Sequence, residues 1–139
     1  MTTRLLGVDP GSRRCGLALS DSRRTLAFPR PSLEVNDDLL QRLGSLVHEE
    51  SVGQVVVGRP VALSGGTTAS TERADRLFVA LGELLVGLSV VQWDERLTTV
   101  EAGKSLVRAG IKTKQHRAHI DSAAAVVMLQ IYLDALRAG

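Results

Sequence analysis

Two short apolar runs open the chain, Leu5-Leu6-Gly7-Val8 and Leu17-Ala18-Leu19, with Asp9-Pro10-Gly11 and a polar stretch between them. Runs of this length bounded by Gly and Pro predict antiparallel strands joined by a turn. A third strand is expected over residues 25–28, ended by Pro29 and Pro31, which makes a three-stranded meander. From Asn36 the spacing turns helical: Leu39, Leu40, Leu43, Leu46 and Val47 form one stripe, with Asn36 as N-cap and Gly53 as terminator. The β-branched run over residues 54–58 reads as a strand buried on both faces, as parallel strands are, and it leaves through Arg59-Pro60. A helix is expected over residues 70–85, with Leu77, Phe78, Leu81, Leu84 and Leu85 turned inward. The loop from Ser64 to Thr68 that precedes it is either a glycine-rich hinge or a helix start able to hold a phosphate. Residues 88–93 form a fifth strand. Thr98 and Glu101 stand at capping-box spacing, so a helix is expected over residues 99–109 with Gly110 as its stop. A last helix, apolar on most sides, spans residues 118–136.

This order of strands and helices is that of an α/β protein. With 139 residues, 44% of them hydrophobic and 23% charged, one globular domain over residues 1–139 is expected. A net charge of +2 is too small to specify a partner by itself. The lone cysteine, Cys15, lies among apolar neighbours and reads as a packed thiol in a reducing compartment. No apolar leader precedes the first strand and no run is long enough to span a bilayer, so a cytoplasmic protein with no membrane association is expected.

Three carboxylates stand out against this pattern. Asp9 and Glu95 each follow the carboxyl end of a predicted strand, where open α/β sheets place their ligands. Asp9 is otherwise a turn cap, and Asp94 beside Glu95 reads as a first-turn acid complementing a helix dipole. Asp121 shares a helix face with Ala124, Ala125, Met128 and Tyr132, where an ionised carboxylate is costly unless it is paired or binds a metal; N-capping is the competing role. Three oxygen donors without thiolate or imidazole spacing suit Mg²⁺ or Mn²⁺ and not structural zinc. Crowded together, they would raise one another's pKa values. Lys104, Arg108, Lys112, Lys114 and Arg117 form either a solvated face or, beside a carboxylate cluster, a phosphate track. His116 and His119 are exposed side chains or a proton shuttle. Aromatic residues make up only 3% of the chain, so backbone contacts rather than base stacking should dominate any grip on nucleic acid.

Four segments in order carry a family resemblance. They are Gly7-Val8-Asp9-Pro10-Gly11 with Arg14-Cys15-Gly16-Leu17-Ala18; Val57-Gly58-Arg59-Pro60 with Gly65; Asp94-Glu95-Arg96-Leu97-Thr98-Thr99; and Ile120-Asp121-Ser122-Ala123-Ala124-Ala125 with Leu129-Gln130-Ile131-Tyr132-Leu133. The chain resembles the YqgF/RuvX family, Holliday junction resolvase-like nucleases linked to maturation of small-subunit ribosomal RNA. The resemblance implies an RNase H-like, resolvase-like fold: a five-stranded mixed sheet, three antiparallel N-terminal strands and two parallel ones, with helices on both faces. It implies a catalytic, metal-binding triad of Asp9, Glu95 and Asp121 in two-metal-ion phosphodiester hydrolysis, with Asp9 shared between the ions. Arg14, Arg96, Lys112 and Lys114 become candidate nucleic-acid contacts, although Arg96 serves equally as an ion-pair partner of Asp94. The implied partner is nucleic acid, RNA ahead of DNA, bound by a monomer or weak homodimer. The alternatives are a resolvase of branched DNA and a non-catalytic binding factor on the same fold. Wider resolvases carry an acid at the end of the fourth strand, where Gly58-Arg59-Pro60 stands, and a second terminal-helix acid where this chain has Ala124.

Overall fold

The computed structural model describes residues 3–97 and 122–138. Strand β1 (Arg4–Asp9) pairs antiparallel with β2 (Arg14–Ser20), which pairs antiparallel with β3 (Ala27–Glu34). Helix α1 (Leu39–Glu49) leads to β4 (Val52–Arg59), and helix α2 (Ala69–Leu84) leads to β5 (Ser89–Asp94). A single 3₁₀ turn, Glu95–Leu97, follows, and helix α3 (Ala123–Ala138) closes the described chain. Strands β4 and β5 run parallel to β1, giving one sheet of five strands in the order β3-β2-β1-β4-β5. This is the expected α/β, RNase H-like arrangement.

Alternation along the central strands divides the interior into two layers. Leu6, Val8, Cys15, Leu17, Val55 and Val57 pack under α1 and α2. Leu5, Ala18 and Val56 pack under α3 with Ala125, Met128, Leu129 and Leu133. The small residues of α3 and Gly7 let helix and sheet approach closely: a Cβ on Gly7 would stand 3.1 Å from Leu129 Cβ. Trp93 meets Tyr132 edge-on, with ring centroids 5.5 Å apart, fastening α3 to β5.

Several boundaries differ from the sequence reading. Strand β3 runs through Pro29 and Pro31 instead of ending there. It is an edge strand, and successive residues turn their N–H groups to opposite sides. The Ala27 N–H donates to Gln130 Oε1 of α3 at 2.9 Å rather than to β2, and Pro29 and Pro31 follow it at two-residue steps. The missing N–H groups therefore fall on the unpaired side. Asn36 does not cap α1 directly; its Oδ1 accepts the Asp38 N–H at 2.9 Å in an Asx turn that leads into the helix, and Asp38 is the N-cap. Helix α1 ends before Gly53, because Ser51 takes the left-handed conformation with φ 54° and Gly53 belongs to β4. In α2, Thr71, Ala74 and Leu81 are buried while Leu84, expected inside, is exposed. The expected helix over residues 99–109 and the start of the last helix lie outside the described residues.

Candidate active site

The parallel alignment of β1, β4 and β5 brings their carboxyl ends to one edge of the sheet. Asp9 ends β1, and Glu95 follows the last residue of β5 directly. Asp9 and Glu95 hydrogen-bond through their side chains. Burial pushes the Asp9 carboxyl above its ordinary value, and the hydrogen bond from Glu95 opposes that shift. Glu95 is pushed up to about 8, by burial first, then by the Asp9 charge, the shared hydrogen bond and Asp94. Burial and mutual repulsion thus disfavour two bare carboxylates side by side, and the pair shares its hydrogen bond while one of them, Glu95 first, stays protonated.

Gly58, at the end of β4, makes room for this pair. A Cβ there would stand 3.2 Å from the carboxyl carbon of Glu95 and 3.0 Å from Met128 Sδ. The fourth strand thus supplies no carboxylate; it supplies the gap into which Glu95 folds. The hollow at residue 58 becomes informative only when the glycine is read together with the acid that follows β5.

Ser122 ties α3 to the same edge. In the β2–β3 ladder the register slips between Cys15 and Leu17, so that Pro31 and Ser32 oppose Gly16, the register partner of Asp9. The bulge leaves a rung open, and the Ser122 hydroxyl closes it. Leu17 N–H donates to Ser122 Oγ at 2.9 Å, and the hydroxyl donates to the Arg30 carbonyl at 2.6 Å. Bulges often re-aim the chain beside active sites, and this one seats a fully buried serine. Neither Gly58 nor Ser122 was singled out as a site residue by motif reading.

Next to the pair, Asp94 is held by Arg96, with guanidinium-to-carboxylate contacts down to 2.6 Å, and the bond from Arg96 keeps Asp94 below the usual carboxylate range. Arg96 is thus engaged as an ion-pair partner. Arg59 binds Asp75 of α2 at 2.9 Å, and Gln92 donates to the same carboxylate at 2.8 Å. Arg14, exposed, opens β2 opposite Glu34 of β3. Thr68 caps α2 reciprocally with Thr71, whose hydroxyl also donates to the Pro60 carbonyl, so the Ser64–Thr68 loop is tied to the exit of β4. Cys15 is buried, as a packed thiol should be.

Of the sequence-derived triad, then, Asp9 and Glu95 meet. Asp121, Lys104, Arg108, Lys112, Lys114, Arg117, His116 and His119 lie outside the described residues. Among the described residues no cluster of three or more metal-ligating side chains forms. The donor chemistry of the pair nevertheless fits a hard divalent cation: both groups are oxygen donors, and a cation would neutralise the negative charge that burial and mutual repulsion disfavour there. No described helix is long and apolar enough to cross a membrane.

A family model described as "RuvX: Holliday junction resolvase" matches residues 3–135. A protein of Mycobacterium leprae named as a candidate pre-16S rRNA nuclease is 44% identical over 137 residues, covering 97% of this chain and 74% of its own. One of the same name from Staphylococcus haemolyticus is 33% identical over 141 residues, covering 99% of each chain. Among solved structures, Thermus thermophilus RuvC in complex with a Holliday junction superposes with a TM-score of 0.65 at 14% identity, over 97% of this chain and 96% of that one. The fowlpox virus Holliday junction resolvase gives 0.63 at 9% identity, over 96% and 99% of the respective chains. These two likenesses concern the fold.

Proposed function

Because this chain belongs to the RuvX family, we propose that it is a nuclease, a divalent-metal-dependent phosphodiester hydrolase acting on RNA, in maturation of the small-subunit ribosomal RNA precursor. The observation that carries this reading is the meeting of two half-buried to buried carboxyl groups, Asp9 and Glu95, at the carboxyl ends of β1 and β5. A buried carboxylate pair is unfavourable for folding alone, and its energetic cost points to a cation. The names of the relatives from M. leprae and S. haemolyticus favour RNA as substrate.

Asp9 and Glu95 would hold the cation, with Asp121 as the third ligand. Asp121 is the covalent neighbour of Ser122, which is fixed on β2 beside the register partner of Asp9. Mg²⁺ or Mn²⁺ bound there would supply a water acidic enough to attack at neutral pH and charge to stabilise the leaving oxygen. Glu95 must release its proton before it can act as a ligand, which couples metal binding to pH. Gly58 leaves Glu95 the space to approach Asp9, and Arg96 engages the neighbouring Asp94 as an ion-paired carboxylate. Lys112 and Lys114 are proposed as contacts to neighbouring phosphates, and Arg14 as a further one at the start of β2.

Incubation with single-stranded RNA, duplex DNA and four-way DNA, in Mg²⁺, Mn²⁺ or chelator, tests the reading. Metal-dependent cleavage of RNA that Asp9→Asn and Asp121→Asn abolish is expected. Metal-dependent cutting confined to the four-way junction would make the chain a resolvase instead. Salt-sensitive RNA binding without cleavage would make it a binding factor.

A further inference from the structure

The β1–β2 turn has a second side. Beyond Pro10 and Gly11, on the face of the sheet away from α3, a cavity of about 380 Å³ opens between the turn, the start of α1 and one face of α2. That volume lies within the ~300–1,000 Å³ typical of small-ligand pockets. Its floor is apolar, formed by Cys15, Leu39, Leu40 and Leu77, while Asn36 and Asp37 stand on one rim. On the other rim Arg73 and Arg76 share a helix face with Leu77 and Ala80, at steps of three and four residues.

Like Arg13, Arg23, Arg24 and Arg42, these two arginines are without an ion pair among the described residues; unlike those four, they stand together on the rim of this hollow. Arg59, Arg96 and Arg137 each pair with an acid, and Arg4 and Arg30 share Glu50. Arg73 and Arg76 form no ion pair among the described residues, and Asp75 between them is engaged by Arg59 and Gln92. Two guanidinium groups without an ion-pair partner, on the α2 side of an apolar hollow and across from Asp37, match a ligand with an apolar body and negative charge on the α2 side. Pro10, which lines the hollow, follows Asp9 directly, and Cys15 on the floor precedes Gly16, the register partner of Asp9, so the hollow and the carboxylate pair are neighbours across the turn.

We propose that this cavity takes one unstacked base of the substrate strand, with Arg73 and Arg76 on its phosphates, while the strand crosses the Pro10-Gly11 turn to reach Asp9. The proposal rests on the nuclease reading above and adds where the substrate strand is gripped. No lining residue is aromatic, so the base is held by burial of its apolar faces rather than by stacking, which gives the strand a fixed register at the carboxylates with little demand on sequence.

The test is binding of short single-stranded RNAs in Ca²⁺, intact or with one abasic residue moved stepwise along the strand. One abasic position, which removes the apolar surface the pocket buries, should weaken wild-type binding about tenfold. Ala80→Phe, which fills the cavity, should weaken binding of the intact strand equally and be indifferent to that abasic position. Arg76→Gln should weaken intact and abasic strands alike and lower the salt dependence by about one phosphate contact. Should Ala80→Phe fail to fold by circular dichroism, Ala80→Leu carries the same expectation. Additive losses from Ala80→Phe and the abasic residue, or wild-type affinity in the filled variant, would overturn the proposal. So would a dimer in sedimentation equilibrium that Ala80→Phe dissociates, since the face would then cover a second copy. Cleavage indifferent to abasic position removes the pocket and leaves the nuclease; abasic coupling in a protein that cleaves nothing does the reverse.

Discussion

The carboxyl carbon of Glu95 lies 3.2 Å from the point where Gly58 would carry a Cβ. Gly58→Ala therefore forces either Glu95 or Met128 to move. Overpacking of this kind costs about 1–3 kcal/mol, and the lower end is expected here because both neighbours are side-chain ends. Cleavage should fall more than stability does, since the displaced group is a proposed ligand. Thermal melting and a metal-dependent cleavage assay on the same preparation separate the two effects.

The raised pKa of Glu95 makes metal-free stability depend on pH with a definite sign. The folded state keeps the proton to about 8, against an ordinary value of 4.5. Across that window the folded protein binds more protons than the unfolded one, so stability is greatest on the acid side and falls as pH rises. Melting temperatures of wild type in chelator should decline from about 4.5 towards about 8, and Glu95→Gln should flatten the decline.

Asp9→Asn removes one of the two crowded charges. In chelator at the alkaline end of that window the variant should melt at or above the wild-type temperature, whereas cleavage should be lost. A variant clearly less stable than wild type there would mean that the Asp9 carboxylate supports the fold instead of burdening it.

Ser122→Ala leaves the Leu17 N–H and the Arg30 carbonyl without the hydroxyl that bridges them. Unsatisfied buried groups of this sort cost about 1–3 kcal/mol each, and urea unfolding should show a loss of at least that order. Because the serine seats the start of α3 beside the Asp9 register, cleavage should fall as well.

Much of this was legible in the chain because local and tertiary preferences agreed. The β-branched run ending at Gly58 could only be an interior strand, and the acids at Asp9 and Glu95 stood where parallel strands end. The misreadings occurred where tertiary surroundings override a residue's usual meaning. Pro29 and Pro31 end an interior strand but not an edge strand whose outward N–H groups need no partner. Gly53 looked like a helix stop, yet Ser51 takes the left-handed turn and glycine serves a strand. Arg96 was legible both as a phosphate contact and as a partner of Asp94, and only the fold reveals the ion pair. Gly58 and Ser122 carry no charge, so their part in the site appears only when the elements are packed.

The central claim is that Asp9 and Glu95 converge to hold a cation. Its most direct test is Mn²⁺ binding followed by electron paramagnetic resonance for wild type, Asp9→Asn and Glu95→Gln, at a pH near 8 where Glu95 can deprotonate. Saturable binding by wild type, weakened at least about tenfold in each variant, is the expected result. Equal Mn²⁺ affinity in all three proteins would contradict it.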